Sequence, residues 1–276
     1  MPMTTPPSSE ADLPTEPATR RDAKNADKRP AGSADPAEIA RFSAMAQDWW
    51  DPQGKFRPLH QLNKTRLGFI REQLCRHFER DASALKALNE LTVLDVGCGG
   101  GLVAEPMARQ GAQVVGIDAA EKNVMIAKAH AMSSGVAVDY RTAVPEDLVA
   151  EKKLFDVVLA LEVAEHVTDP TAFIADCARL LKPGGILIMA TLNRTAKAYL
   201  MAIIGAEYIM KWLPRGTHSW AKFIRPSELV TAARQSRLAA TTLMGMVYNP
   251  LQASWRLSPK DLDVNYLMVA VKPPQH

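Results

Sequence analysis

Residues 91–118, LTVLDVGCGGGLVAEPMARQGAQVVGID, decide how this chain folds. Leu91–Val96 is an aliphatic, β-branched run carrying one acid, Asp95, near its end. Gly97, Gly99, Gly100 and Gly101 follow at once, and a helical pattern then covers about 102–110. Glycines at such a turn remove Cβ atoms, so the backbone bends tightly and a ligand can lie against it. The next run, Gln113–Ile117, ends in Asp118, 21 residues after Gly97. A carboxylate there is placed to accept hydrogen bonds from both hydroxyls of a ribose.

The same alternation continues on both sides. Strand-like runs at Val136–Tyr140, Phe155–Leu161 and Ile186–Ala190 are separated by helical patterns at about 121–133 and 170–181, and two more helical patterns precede them at 37–50 and 63–80. Strands alternating with helices predict βαβ units and a parallel sheet. Runs at about 239–247 and 264–271 are close enough to pair antiparallel at one edge. The expected fold is therefore α/β: a doubly wound, mostly parallel, seven-stranded sheet. It spans residues 38–274, with a helical N-terminal segment and a helical insertion at about 192–225 after the fifth strand.

Composition narrows the partners. The 33 basic and 30 acidic residues leave a net charge of only +3, which predicts no nucleic-acid footprint. Cys75, Cys98 and Cys177 are scattered without a CxxC pair, as expected of reduced cytoplasmic thiols rather than a disulfide framework. Residues 1–37 are rich in Pro, Ser, Thr, Ala and charge and are expected to be disordered. No apolar core of a secretory signal follows their basic residues, and seven acids before position 40 count against a transit peptide.

Two nucleotide-type ligands compete for the glycine turn. A dinucleotide would rest its pyrophosphate on the helix N-terminus. Asp95 instead places a carboxylate at the strand end, which suits a ligand carrying ammonium and sulfonium charge. A dinucleotide-dependent oxidoreductase would also need a general acid such as a Tyr-x-x-x-Lys helix, which is absent. A non-catalytic binding module is a third class, separable by lack of turnover.

The DVGCGGG loop at 95–101, with an acid ending the next strand, resembles the class I S-adenosylmethionine-dependent methyltransferases. AVPEDL at 143–148, FDVVLALEVAEHV at 155–167 and LLKPGGILIMAT at 180–191 agree with that family. The flanks narrow it further. FSAMAQDWWDPQGKFRPLHQLNKTR at 42–66, TLNRTAKAYLMAIIGAEYIMKWLPRGTH at 191–218 and VYNP at 247–250 are similar to the ubiquinone-biosynthesis O-methyltransferases. That resemblance implies two O-methylations, on a 2-polyprenyl-6-hydroxyphenol and on 3-demethylubiquinol. It also implies a place in a ubiquinone-biosynthesis complex. S-adenosylmethionine contacts would fall at Arg66, Gly97, Asp118 and the main chain of Leu161, with Asp95 and Gly99 in the same loop. A guanidinium at Arg66 suits the methionine carboxylate.

Methyl transfer from a sulfonium is an in-line displacement, so most of the catalysis is positioning, and a phenol must also lose its proton. Glu162, Glu165 and His166 lie just past the fourth strand, where doubly wound folds bind ligands. Relatives are associated with magnesium at the matching E-x-x-E-H positions, so all three are candidate ligands of a cation that would chelate a catechol. The alternatives are His166 as a metal-free general base, with the carboxylates orienting it, and a purely loop-shaping role. His218 is a second candidate to face substrate.

Residues 196–213 (AKAYLMAIIGAEYIMKWL) are apolar but carry Lys197, Glu207 and Lys211. They are too short and too charged to span a bilayer. Tyr199, Trp212 and the lysines suit an interfacial helix, on the inner (cytoplasmic) membrane face, that reaches a membrane-resident polyprenyl substrate. A lid helix or a dimer surface is the competing reading. Trp49 and Trp50 either close over the cofactor or pack on the core.

Overall fold

The computed structural model describes residues 34–54, 56–201 and 220–274. The chain enters through α1 (Pro36–Met45) and a 3-10 turn (Ala46–Asp48), then α2 (Arg57–His77). Strands and helices then alternate: β1 (Thr92–Val96), α3 (Ala104–Arg109), β2 (Gln113–Asp118), α4 (Glu121–Ser133), β3 (Asp139–Thr142), α5 (Pro145–Ala150), β4 (Phe155–Leu161), α6 (Pro170–Arg179) and β5 (Leu181–Leu192). After α7 (Ala196–Ala198) come α8 (Pro226–Gln235), β6 (Ala239–Asn249), β7 (Ser254–Ser258) and β8 (Asn265–Val271).

The sheet order is β3-β2-β1-β4-β5-β8-β6-β7. The first five strands are parallel, while β8 runs antiparallel to both β5 and β6. The central strands read as unbroken apolar runs because helices cover both faces. Val93, Val157, Leu159, Ile186 and Ile188 face one core layer, and Leu94, Val158, Ala160, Leu187 and Met189 face the other. Strand order reverses between β1 and β4, which opens a crevice at their carboxyl ends. Asp95, Gly97, Asp118 and Glu162 all sit at that crevice.

The α/β class, the five parallel strands and the antiparallel edge agree with the sequence reading. The strand count does not: the sheet has eight strands among the described residues, not seven. The added strand, β7, is only the five residues SWRLS and alternates weakly, so it has no apolar run to signal it. The third strand also begins later than expected. Val136 still donates its backbone N–H to Ala131 O at 2.9 Å, beyond a left-handed Gly135, and so closes α4 instead of starting β3.

Near the expected N-terminal boundary, Asp35 caps α1 by accepting from Ala37 N, with Pro36 at the first turn, and Ala34 bridges Val167. Residues 1–33 of the expected tail lie outside the described residues. So do residues 202–219, which hold His218 and most of the expected 196–213 helix. Its described start is α7, followed by exposed Tyr199, Leu200 and Met201. No helix among the described residues is long and apolar enough to cross a membrane.

Candidate functional site

A cavity of about 430 Å³ opens at the crevice, within the range of small-molecule sites. Sheet order divides its lining into two arms: Asp95, Gly97, Asp118, Asn123 and Pro145 lie toward β2, Leu192, Met246, Tyr248 and Trp255 lie toward the β6–β7 edge, and Leu161 and Glu162, at the end of β4, lie between them.

Asp118 organises the first arm. Its carboxylate accepts from Gly99 N at 3.0 Å, Ala120 N at 2.8 Å and Asn123 Nδ2 at 3.2 Å. Burial raises its pKa above the usual carboxylate value, and those hydrogen bonds pull it back toward the ionised form. The sequence placed Gly99 at the cofactor. Gly99 does not line the cavity, and its amide instead fixes the orientation of Asp118.

The glycine turn is closed from above by aromatic residues. Trp49 lies over it, so that a Cβ built on Gly100 would stand 2.5 Å from Trp49 Cβ. Trp49 Nε1 donates to Asn123 Oδ1 at 2.9 Å, and its ring stacks on Phe56 at 3.9 Å. Trp50 donates to Gly100 O at 2.8 Å and stacks on His130. Trp49 thus both covers the cofactor arm and packs in a buried cluster with Met45, Phe56 and Leu102.

Arg66 and Asp95 form the inner end of this arm, and both are almost fully buried. Arg66 Nε and Nη2 donate to Asn63 Oδ1, whose own amide is held by Leu102 O at 2.7 Å. Arg66 Nη1 and Asp95 Oδ2 are buried with no hydrogen-bond partner among the described residues. An orphaned donor and an orphaned acceptor of opposite charge, in one cavity, match the carboxylate and ammonium of an α-amino acid. Burial raises Asp95 to about 7, against the pull of Arg66.

At the end of β4, Glu162 adopts a left-handed φ of 58° that turns the chain back across the crevice. Its Oε1 lies 3.9 Å from Arg66 Nη1. Glu165 is buried and accepts from Thr191 Oγ1 at 2.8 Å. Burial, and then the neighbouring Glu162 carboxylate, push Glu165 well above the usual carboxylate range. Each of the two carboxylates keeps one buried oxygen, Oε1, without a hydrogen-bond partner among the described residues.

His166 stands apart from this pair. Its Nδ1 is 3.4 Å from Glu38 Oε2, and the Phe42 ring meets it edge-on at 5.2 Å. No group of three or more His, Cys, Asp and Glu side chains with metal-holding geometry occurs among the described residues. The expected trio is therefore not gathered at one point. Glu162 and Glu165 come together, while His166 meets Glu38 of α1.

Several site residues carried no signal in the sequence. Glu38, Asn63, Asn123 and Thr191 lie in ordinary helical or strand patterns, and only tertiary packing brings them to the crevice. Trp255 sits on the strand that was not expected.

Residues 94–189 match the family described as methyltransferase domain. The ubiquinone biosynthesis O-methyltransferase of Cereibacter sphaeroides is 54% identical over 239 residues, covering 87% of this chain and 97% of that protein. The protein of the same name from Parvibaculum lavamentivorans is 54% identical over 248 residues, covering 90% and 98%. Among solved structures, magnesium protoporphyrin IX methyltransferase from Synechocystis PCC 6803, with bound SAH, aligns with a TM-score of 0.60. It is 20% identical, with 84% of this chain and 94% of that chain covered, a likeness of fold alone.

Proposed function

The chain belongs to the family of ubiquinone biosynthesis O-methyltransferases, and we propose that it methylates a phenolic oxygen of polyprenylated catechol and quinol intermediates. The observation that carries this reading is the two-armed cavity. One arm ends in the orphaned Arg66 and Asp95 groups, and the other is walled mostly by apolar side chains. When bound, S-adenosylmethionine supplies an electrophilic methyl on a sulfonium centre.

The chain's own residues then bind, orient and move a proton. Asp118, held by three donors, is preset to accept from the ribose hydroxyls. Arg66 and Asp95 clamp the amino-acid end, and Leu161 with Glu162 forms the neck where the two arms meet. His166 lines the cavity beside Glu38 and is the base offered to the phenol proton. Glu162 and Glu165 offer hard oxygen donors that fit a divalent cation such as magnesium, which would favour the ionised catechol. His166 as a third ligand is not supported by its position.

Two tests address these roles. Asp95 must be ionised to pair with an ammonium. Its raised value means that the folded protein prefers the neutral acid below about 7 and disfavours ionisation as pH rises toward it. Calorimetry from pH 5.5 to 7.5 should show cofactor binding tighten by up to about tenfold per unit and level off near pH 7. Asp95→Asn should flatten that profile, and a flat wild-type profile would remove Asp95 from the ammonium. Glu165→Gln should leave cofactor binding intact and reduce magnesium-stimulated turnover at least about tenfold. Unchanged magnesium dependence would take Glu165 out of the site.

We also read residues 196–213 as the membrane-contacting segment of a peripheral enzyme, working beside the other enzymes of the pathway. Met201 lines the cavity, and the neighbouring Tyr199 and Leu200 are exposed apolar side chains, which supports this reading. Flotation with anionic vesicles should carry the protein upward. Protein left at the bottom of the gradient would reject the membrane reading.

A further inference from the structure

The substrate arm holds a donor that the methyl-transfer chemistry has not used. Trp255 is the second residue of β7, directly across from Tyr248 of β6, and the two rings lie 5.2 Å apart at a 50° tilt. Its main-chain carbonyl accepts from Thr65 Oγ1 at 3.3 Å, which fixes this part of the strand against α2, one residue from Arg66. Met244, Trp255 and Leu257 pack against the same core layer. Both aromatic residues line the cavity. Yet the Trp255 indole N–H is buried with no acceptor among the described residues.

A buried indole N–H without a partner forfeits a hydrogen bond that water would have supplied, and native interiors rarely tolerate that without a reason. An aromatic pair with one free donor is what recognition of an oxygenated ring requires. The faces supply stacking, and the N–H supplies direction. We propose that Trp255 is a substrate-positioning residue whose indole N–H donates to a ring oxygen other than the one being methylated. The assignment rests on the catechol and quinol reading above. It gives that reading a means of orienting the ring, because a substrate carrying a second oxygen satisfies the donor and one lacking it leaves the donor stranded.

The test compares two short-chain prenylated compounds, a catechol and the monophenol that keeps only the methylated hydroxyl. Wild-type protein should prefer the catechol, and Trp255→Phe should raise the catechol KM about tenfold with kcat nearly unchanged. The preference for catechol over monophenol should fall by the same factor, while cofactor affinity stays put. A side chain that only fills space would weaken both compounds alike. If the smaller ring disturbs the strand, seen as lost cofactor binding, a benzothienyl analogue placed at position 255 keeps the shape and removes only the N–H. Wild-type KM and wild-type preference in the variant that still binds cofactor would overturn the assignment. Wild-type protein that binds cofactor but methylates neither compound would instead overturn the substrate reading, and the role of Trp255 would fall with it.

Discussion

Arg66→Ala should weaken S-adenosylmethionine binding by several hundred-fold, about 3–4 kcal/mol. Arg66 is 4% exposed, and it stands between two carboxylates, Glu162 and Asp95, the second of which burial already disfavours as an anion. Removing the guanidinium deletes a charge-assisted bond to the ligand carboxylate. It also leaves the two acids facing each other without a cation. Asp95 would then hold its proton to higher pH, so the ammonium contact weakens as well. Arg66→Lys should recover part of the loss, because the charge returns but the fork that grips Asn63 and the ligand together does not. Calorimetric titration of both variants, with circular dichroism to confirm folding, separates these effects. A dissociation constant for Arg66→Ala within threefold of wild type would leave Arg66 a structural role only.

Gly99→Ala is the second large effect, and it acts on stability before it acts on binding. Gly99 has φ +53°, and a Cβ there would run into the six-membered ring of Trp49. A left-handed alanine costs about 1–2 kcal/mol, and forcing the indole aside adds about 1–3 kcal/mol. A total near 3 kcal/mol should lower Tm by roughly 6–12 °C in a domain of this size. Cofactor binding should fall as well, because the Gly99 amide would no longer hold Asp118. A cycle with Trp49→Ala divides the cost. In that background only the backbone part, about 1–2 kcal/mol, should remain. Equal costs in both backgrounds would show that the indole does not press on the loop.

These two residues mark what could be read from the chain and what could not. Gly99 and Asp118 were legible because one strand-turn-helix-strand unit carries them at fixed spacing, and local geometry alone brings them together. Arg66 was found only through resemblance, since a lone arginine in a helical pattern looks like a solvated one. Its burial depends on Asn63 and on Leu102, 39 residues further on. Glu38 illustrates the limit. Nothing about an acid in the first turn of a helix says that it will meet His166, and the meeting depends on how α1 crosses the crevice. The cluster E-x-x-E-H looked like one site because its members are neighbours in sequence. The short 3-10 turn Ala164–His166 sends them in different directions, with Glu165 toward Thr191 and His166 toward α1. Strand β7 escaped notice for a related reason. Its five residues gain their pairing from β6 and their cover from α2, and neither is written in the strand itself.

The matched methyltransferase segment ends at residue 189, yet the cavity is completed by chain on both sides of it: Arg66 and Trp49 before, Met246 and Trp255 after. Inheritance can therefore act on the two parts separately. The central βαβ units supply a cofactor seat whose geometry tolerates little change, since glycine, acid and amide constrain one another. The flanking helices and the edge hairpin press on that seat from outside and present most of the surface that a second molecule would meet. Arg66 and Trp49 belong to the cofactor's seat, but drift or exchange in the edge hairpin that carries Met246 and Trp255 can retune which acceptor is methylated while the donor's seat stays as it was.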